Sequence, residues 1–331
     1  MSPSAFSLFR VLSLRIRPEF GLLAVSLFLS FVLGELGLRL FLPLEFPDHR
    51  PFEAGQDAGF EFHKTFGWFP IPNSHRILTT DVRTISVDHN SNGFRDPEFD
   101  PSKRPGVIFL GDSYTWGYAV ETGERFTDKL RGKHPEWSVY NFGVVGFSTD
   151  QEFLVLKKYI AEYRPRMVFL VFCVENDDVG NSGNRAGMYY YKPYFVPFPG
   201  GLKLKGVPVP ASDRFFCLRH PILSKAYLIR LSVRAYANLK DPFPNLKQPP
   251  TTAIIREMQK YLAARGIGLA VGLTDSHPQL EGFLHGSKIH CVNLSTSLRY
   301  APGDHWTADG NTVVAQRIEE FLLAGKYLDQ K

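Results

Sequence analysis

The chain has 331 residues, 44% of them hydrophobic and 21% charged, with a formal net charge of +5. That balance is of a globular protein and excludes an intrinsically disordered one. The length suits one large domain with additions or two modest ones, and the thinly spread basic surplus forms no stripe or aromatic platform of the kind that grips nucleic acid.

The first organised segment is FGLLAVSLFLSFVLGELGLRLFL, residues 20–42, whose first fifteen positions carry no charge. A bilayer-spanning helix needs about 20 mostly apolar residues, so one transmembrane helix is predicted here. Its two charges, Glu35 and Arg39, are four apart with the acid first and can pair on one helical face near the end of the span. A cleaved signal peptide is the alternative, but its apolar core would be shorter and no A-x-A-like site follows. Arg10, Arg15 and Arg17 precede the span against Glu19 alone, while Glu45, Asp48 and Arg50 follow it. The positive-inside rule places the N-terminus in the cytoplasm and the rest outside, which is the periplasm in a Gram-negative cell.

Residues 43–104 read as a stalk with a short β segment, because TTDVRTISVDHNSNGF (79–94) alternates before its Asn92-Gly93 turn. From residue 105 strands and helices alternate. VIFLG (107–111), SVYNFG (138–143), MVFLVFCV (167–174), IGLAVGL (267–273) and KIHCVNL (288–294) read as strands. Helical patterns cover 120–133, 148–163, 251–266 and 307–325, with Ser148 or Thr149 available as an N-cap. This rhythm predicts an α/β fold with an open parallel sheet between helical layers. An insertion at about 179–247 interrupts it with an aromatic, Pro-rich hairpin around Gly200-Gly201 and a helix over 224–239. Aromatic faces of this kind stack on sugar rings and equally pack hairpins onto a domain. Cys173 is expected to be buried, and Cys217 and Cys291 are free to form one disulfide in an oxidising compartment. No spacing of Cys or His suggests a metal, and no cofactor is expected.

In an open parallel sheet, ligands bind beyond the carboxyl ends of the strands. Ser113 follows the first of those strands and is a candidate nucleophile. Such a serine needs a base, donors for an oxyanion and a group to orient the base. Gly143 and Gly146 end the second strand and Asn176 the third, so backbone N–H groups and a side-chain amide can converge there. His305, after the last strand and before the closing helix, lies at the same edge and is the candidate base.

Four blocks, GDSYTWG (111–117), NFGVVGFS (141–148), ENDD (175–178) and DHWTADGN (304–311), resemble in order and rough spacing the SGNH, or GDSL-type, hydrolase superfamily. NSNGFRDPEF (90–99) and the anchored N-terminus resemble membrane-anchored members found with bacterial exopolysaccharide genes. The resemblance covers about residues 107–325 and implies a flavodoxin-like three-layer α/β/α sandwich. It implies Ser113 as nucleophile, His305 as base, and Ser113, Gly146 and Asn176 as the oxyanion hole. Val174 and Glu175 stand where the family commonly has Gly. The family's acid usually lies two or three residues before the His, whereas Asp304 is adjacent to His305. Asp304 is the candidate orienting acid beside Ser113 and His305, but neighbouring residues point apart in an extended segment, so its reach to the ring needs an unusual loop, and a Ser–His dyad oriented by a backbone carbonyl is the alternative. Asp309 is a remote substitute, and Asp112 is expected to bond loop amides. The implied function is a membrane-anchored, extracytoplasmic serine esterase acting on a small acyl group, acetyl foremost, of a carbohydrate. The alternatives are an O-acetyltransferase using the same residues and a catalytically silent polysaccharide-binding protein.

Overall fold

A computed structural model of the chain describes residues 17–41, 59–100, 102, 105–186, 190–211, 216, 219–240, 242–244, 246, 248–301 and 304–328. The apolar N-terminal run forms helix α1 (Pro18–Phe41), 24 residues with mean hydropathy 2.0 over its best window and none of its side chains buried. It is long and apolar enough to cross a bilayer. Glu35 and Arg39 do pair, with Nε donating to Oε1 over 2.8 Å. The predicted cytoplasmic arm at 1–16, the connection at 42–58 and Cys217 lie outside the described residues, as therefore does any pairing of Cys217 with Cys291.

The centre is a five-stranded, wholly parallel sheet. Its strands are β5 (Gly106–Gly111), β6 (Ser138–Gly143), β7 (Met167–Phe172), β12 (Gly268–Leu273) and β13 (His290–Asn293). They lie side by side in the order β13-β12-β7-β5-β6. That is the flavodoxin-like order, with the switch point between β5 and β7. Alternate residues explain why the strands read as unbroken apolar runs. In β5, Ile108 and Leu110 join the cluster under α4 (Thr149–Tyr163), α7 (Thr251–Ala263) and α8 (Pro278–Gly286), while Val107 and Phe109 join the cluster under α3 (Phe126–Lys133) and α9 (Ala308–Ala324). Both faces are covered, so neither face favours polar side chains.

Two features differ from the sequence reading for local reasons. The helix predicted over 120–133 starts only at Phe126, because Ala119 and Gly123 take positive φ (58° and 93°) and turn the chain. The stretch 79–94 is not one strand: β3 (His75–Thr79) and β4 (Thr84–Asp88) form a hairpin closed by Thr80–Arg83. A second hairpin, β1 (Phe60–His63) with β2 (Gly67–Pro70), precedes it, and Phe66, Trp68, Phe69 and Phe94 enter the α4-side core.

The insertion opens with α5 (Asp177–Asn181), the short strands β8 (Arg185–Ala186) and β9 (Tyr190–Tyr191), and the hairpin β10 (Tyr194–Phe198)–β11 (Gly201–Lys205). It ends in the helix α6 (Tyr227–Lys240). Tyr191, Tyr194 and Phe195 are buried, so these aromatics hold the insertion on the domain. Lys192 reaches inward as well. Its Nζ pairs with Asp150 and donates to the carbonyls of Gly180, Gly183 and Pro193, with both charged side chains fully buried.

One buried histidine makes stability depend on pH. His89 is buried with Nδ1 3.0 Å from Ser74 Oγ, and Nε2 has no partner. Burial, with Arg95 close by, lowers its pKa from 6.5 to about 4. Below pH 6.5 the unfolded chain takes up a proton that the folded chain refuses, so stability falls until about pH 4 and then levels. The expected loss is about 3 kcal/mol across that window. Urea midpoints measured at pH 7 and pH 4 should differ less for His89→Gln than for the parent protein.

Candidate active site

β5 ends at Gly111 and the chain turns directly into the single-turn helix α2 (Ser113–Trp116). Asp112 caps that turn, its Oδ1 accepting the Tyr114 N–H at 2.9 Å. This sharp strand-to-helix change leaves Ser113 at its first residue, at the carboxyl edge of the sheet. Arg95 holds the next loop from beneath: its guanidinium donates to the carbonyls of Ser86, Gly117 and Val120 and lies over the Trp116 ring.

Ser113 Oγ lies 2.7 Å from His305 Nε2. His305 Nδ1 lies 2.8 Å from Asp304 Oδ1. A carboxylate facing Nδ1 assigns the ring proton there and leaves Nε2 to accept from the serine hydroxyl. The unusual loop that Asp304 needs is present. Asp304 Oδ1 also accepts the backbone N–H of His305 at 2.6 Å, so the side chain folds forward over its own peptide and meets the ring. Nδ1 is thereby engaged, and Asp309 sits instead in the first turn of α9.

The loop is clamped by residues that the sequence reading passed over. Tyr114 Oη donates to the Asp304 carbonyl at 2.9 Å, and Arg299 Nη1 donates to the same oxygen at 3.2 Å. Arg299 Nη2 is tied to the Thr274 carbonyl at the end of β12, at 2.7 Å. Burial pushes the Tyr114 hydroxyl far up, so it stays a donor. The rings of Tyr114 and Tyr118 stand 4.8 and 4.5 Å from the His305 ring and pack against it. Tyr114 abuts the serine in sequence and could have been flagged; Arg299 offers no local pattern.

The other predicted residues arrive from the neighbouring strands. Gly146 lies in the turn after β6 with φ 74°, a conformation that favours glycine. Trp68 steadies that turn, Nε1 donating to the Val145 carbonyl at 2.9 Å. Gly143 has a packing role: an added Cβ there would come within 2.3 Å of the Trp116 nitrogen. Asn176 follows β7 and caps α5. Its Nδ2 donates to Asp112 Oδ2 at 3.3 Å, so Asp112 touches both the serine turn and the amide. Burial holds the Asp112 carboxyl above its usual range although the Tyr114 N–H and His305 oppose this. The adjoining acids are scaffolding. Buried Asp177 accepts the Cys173 N–H at 2.8 Å, and Asp178 meets His277 Nε2 at 2.9 Å. Cys173 itself is buried, as its apolar surroundings predict.

No family model matches the chain, and no curated protein is similar to it. Solved structures similar to it include a lipolytic G-D-S-L family protein from Desulfitobacterium hafniense, with 10% identity and TM-score 0.38 over 66% of this chain and 99% of that one. An esterase from Pseudoalteromonas is similar at 12% identity and TM-score 0.37, over 69% of this chain and all of the other. An acetyl xylan esterase is similar at 11% and 0.37, over 66% and 99%. At that distance the chemistry rests on this chain's own residues.

Proposed function

We propose that this protein is a membrane-anchored serine esterase that removes a small acyl group, acetyl first, from a carbohydrate outside the cytoplasm. The observation that carries the reading is the continuous relay from Ser113 Oγ through the His305 ring to Asp304, with links of 2.7 and 2.8 Å. Its domain organisation is a cytoplasmic arm (1–19), a span in the inner membrane (20–42), a stalk with a short β segment (43–104) and a periplasmic catalytic domain (105–331). A silent binding protein of this fold would be supported by a histidine more than about 5 Å from the serine, beyond the reach of a base. The observed contact argues against it.

Ser113 Oγ attacks the acyl carbonyl while its proton passes to His305 Nε2. Asp304 stabilises the imidazolium that forms. The N–H groups of Ser113 and Gly146 and the Asn176 amide receive the negative oxygen. The proton then goes to the departing sugar oxygen, leaving an acyl-enzyme. Water repeats the sequence, His305 taking its proton, and the carboxylic acid leaves with Ser113 restored.

The reading is tested with the full chain in mild detergent, by acetate release from a chromogenic acetyl ester and from an acetylated oligosaccharide. Asn176→Ala is expected to lower kcat by about 10²–10³-fold while binding is little changed. Undiminished kcat would remove Asn176 from the oxyanion hole. Acetyl appearing on an added sugar rather than as acetate would move the protein to the acetyltransferases.

A further inference from the structure

Helix α6 is amphipathic in a direction that the described residues do not satisfy. Arg230 and Ala237 are buried against the domain. Leu228, Leu231, Ala235 and Leu239, three and four residues apart, share the opposite face, and Leu239 is 84% exposed. The helix contains two Arg, one Lys and no acid.

Its starting point is fixed to α1. The Glu35 carboxylate accepts the N–H groups of Tyr227 and Leu228 at 3.0 and 3.1 Å, acting as an N-cap supplied by another helix. Arg39 donates to the Lys225 carbonyl and stands 4.7 Å from the Tyr227 ring centre. Gly34 permits the approach, since a Cβ there would lie 3.1 Å from a Leu228 methyl. The two charges in the apolar run are therefore joined to α6. They sit in the last two turns of α1, at the depth where a span meets the headgroups.

We propose that α6 lies in the headgroup–acyl boundary of the bilayer that α1 crosses, with its Leu231–Leu239 face toward the acyl chains. A basic, acid-free helix whose apolar stripe is left exposed by the described residues, tethered at the mouth of a span, has the chemistry of an interfacial helix on anionic lipid. The proposal rests on the reading of α1 as a span.

The test uses the full chain in vesicles of phosphatidylcholine and phosphatidylglycerol with brominated or unbrominated acyl chains. The four native tryptophans are buried in the catalytic domain and give a constant background. Leu239→Trp reports on α6, Leu29→Trp on α1, and Val82→Trp, in the exposed β3–β4 turn, on the aqueous side. Bromine is expected to quench the indoles at 29 and 239, and aqueous iodide the one at 82. Quenching at 29 without quenching at 239 overturns the proposal and leaves the span intact, whether position 239 is open to iodide or shielded by protein. No quenching at 29 overturns the span, and the proposal with it.

Discussion

Ser113→Ala is expected to reduce hydrolysis of a chromogenic acetyl ester by about 10⁴-fold or more, with folding unchanged. Alanine keeps the backbone N–H and the capped turn that Asp112 builds, so only the nucleophile is lost. His305→Ala should cost a similar factor, because Oγ then has no acceptor for its proton. The informative measurement is the double variant. Residues acting as one unit are strongly non-additive, so Ser113→Ala with His305→Ala should be no slower than either alone. Full activity of Ser113→Ala, or multiplied losses in the double variant, would sink the relay. Asp304 tests less cleanly, because Oδ1 also accepts the His305 backbone N–H and its loss changes the loop.

Lys192→Met should destabilise the fold by about 3–5 kcal/mol, the usual cost of leaving a buried charge without its partner. Lys192 is the cation in a pocket of acids: Asp150 is its direct partner, and buried Glu152 and Asp177 are close. Burial, reinforced by the neighbouring carboxylates, raises Glu152 and Asp177 well above the ordinary range, which favours their neutral forms. Without the ammonium, Asp150 must join them or stay charged in an apolar setting. Urea unfolding in detergent should show a lower midpoint at an unchanged slope. Lys192→Met with Asp150→Leu should recover much of the loss, since an apolar pair can replace a buried ion pair. A single variant as stable as the parent would mean that the pair contributes little and that the aromatics hold the insertion.

Much of the frame was legible because the chain states it locally. β5 and β6 end in Gly111 and Gly143 and β7 is an unbroken apolar run, and the parallel rhythm brings Ser113, Gly146 and Asn176 to one edge. α8 was missed because PQLEGFLHG is short and mixes Gly and His into its pattern. The reach of the acid Asp304 was not legible for a different reason. Its reach depends on a carbonyl held by Tyr114, from 190 positions away, and by Arg299, which is anchored on β12. Contacts of that range leave no periodicity. The same limit applied to Glu35: its pairing with Arg39 was visible as a four-residue spacing, whereas its bonds to α6 join residues more than 190 apart.

The serine and histidine are separated by 192 positions. Parallel strands and loops that close over such distances form late. If synthesis and export proceed from the N-terminus, Ser113 is outside the membrane long before His305 is made. If the proposed relay holds, the emerging chain then carries an unarmed serine, and no ester can be cut until the closing loop arrives. On the proposed reading, activity reports the arrival of residue 305, and a fragment ending short of it would be an inert intermediate rather than a weak enzyme.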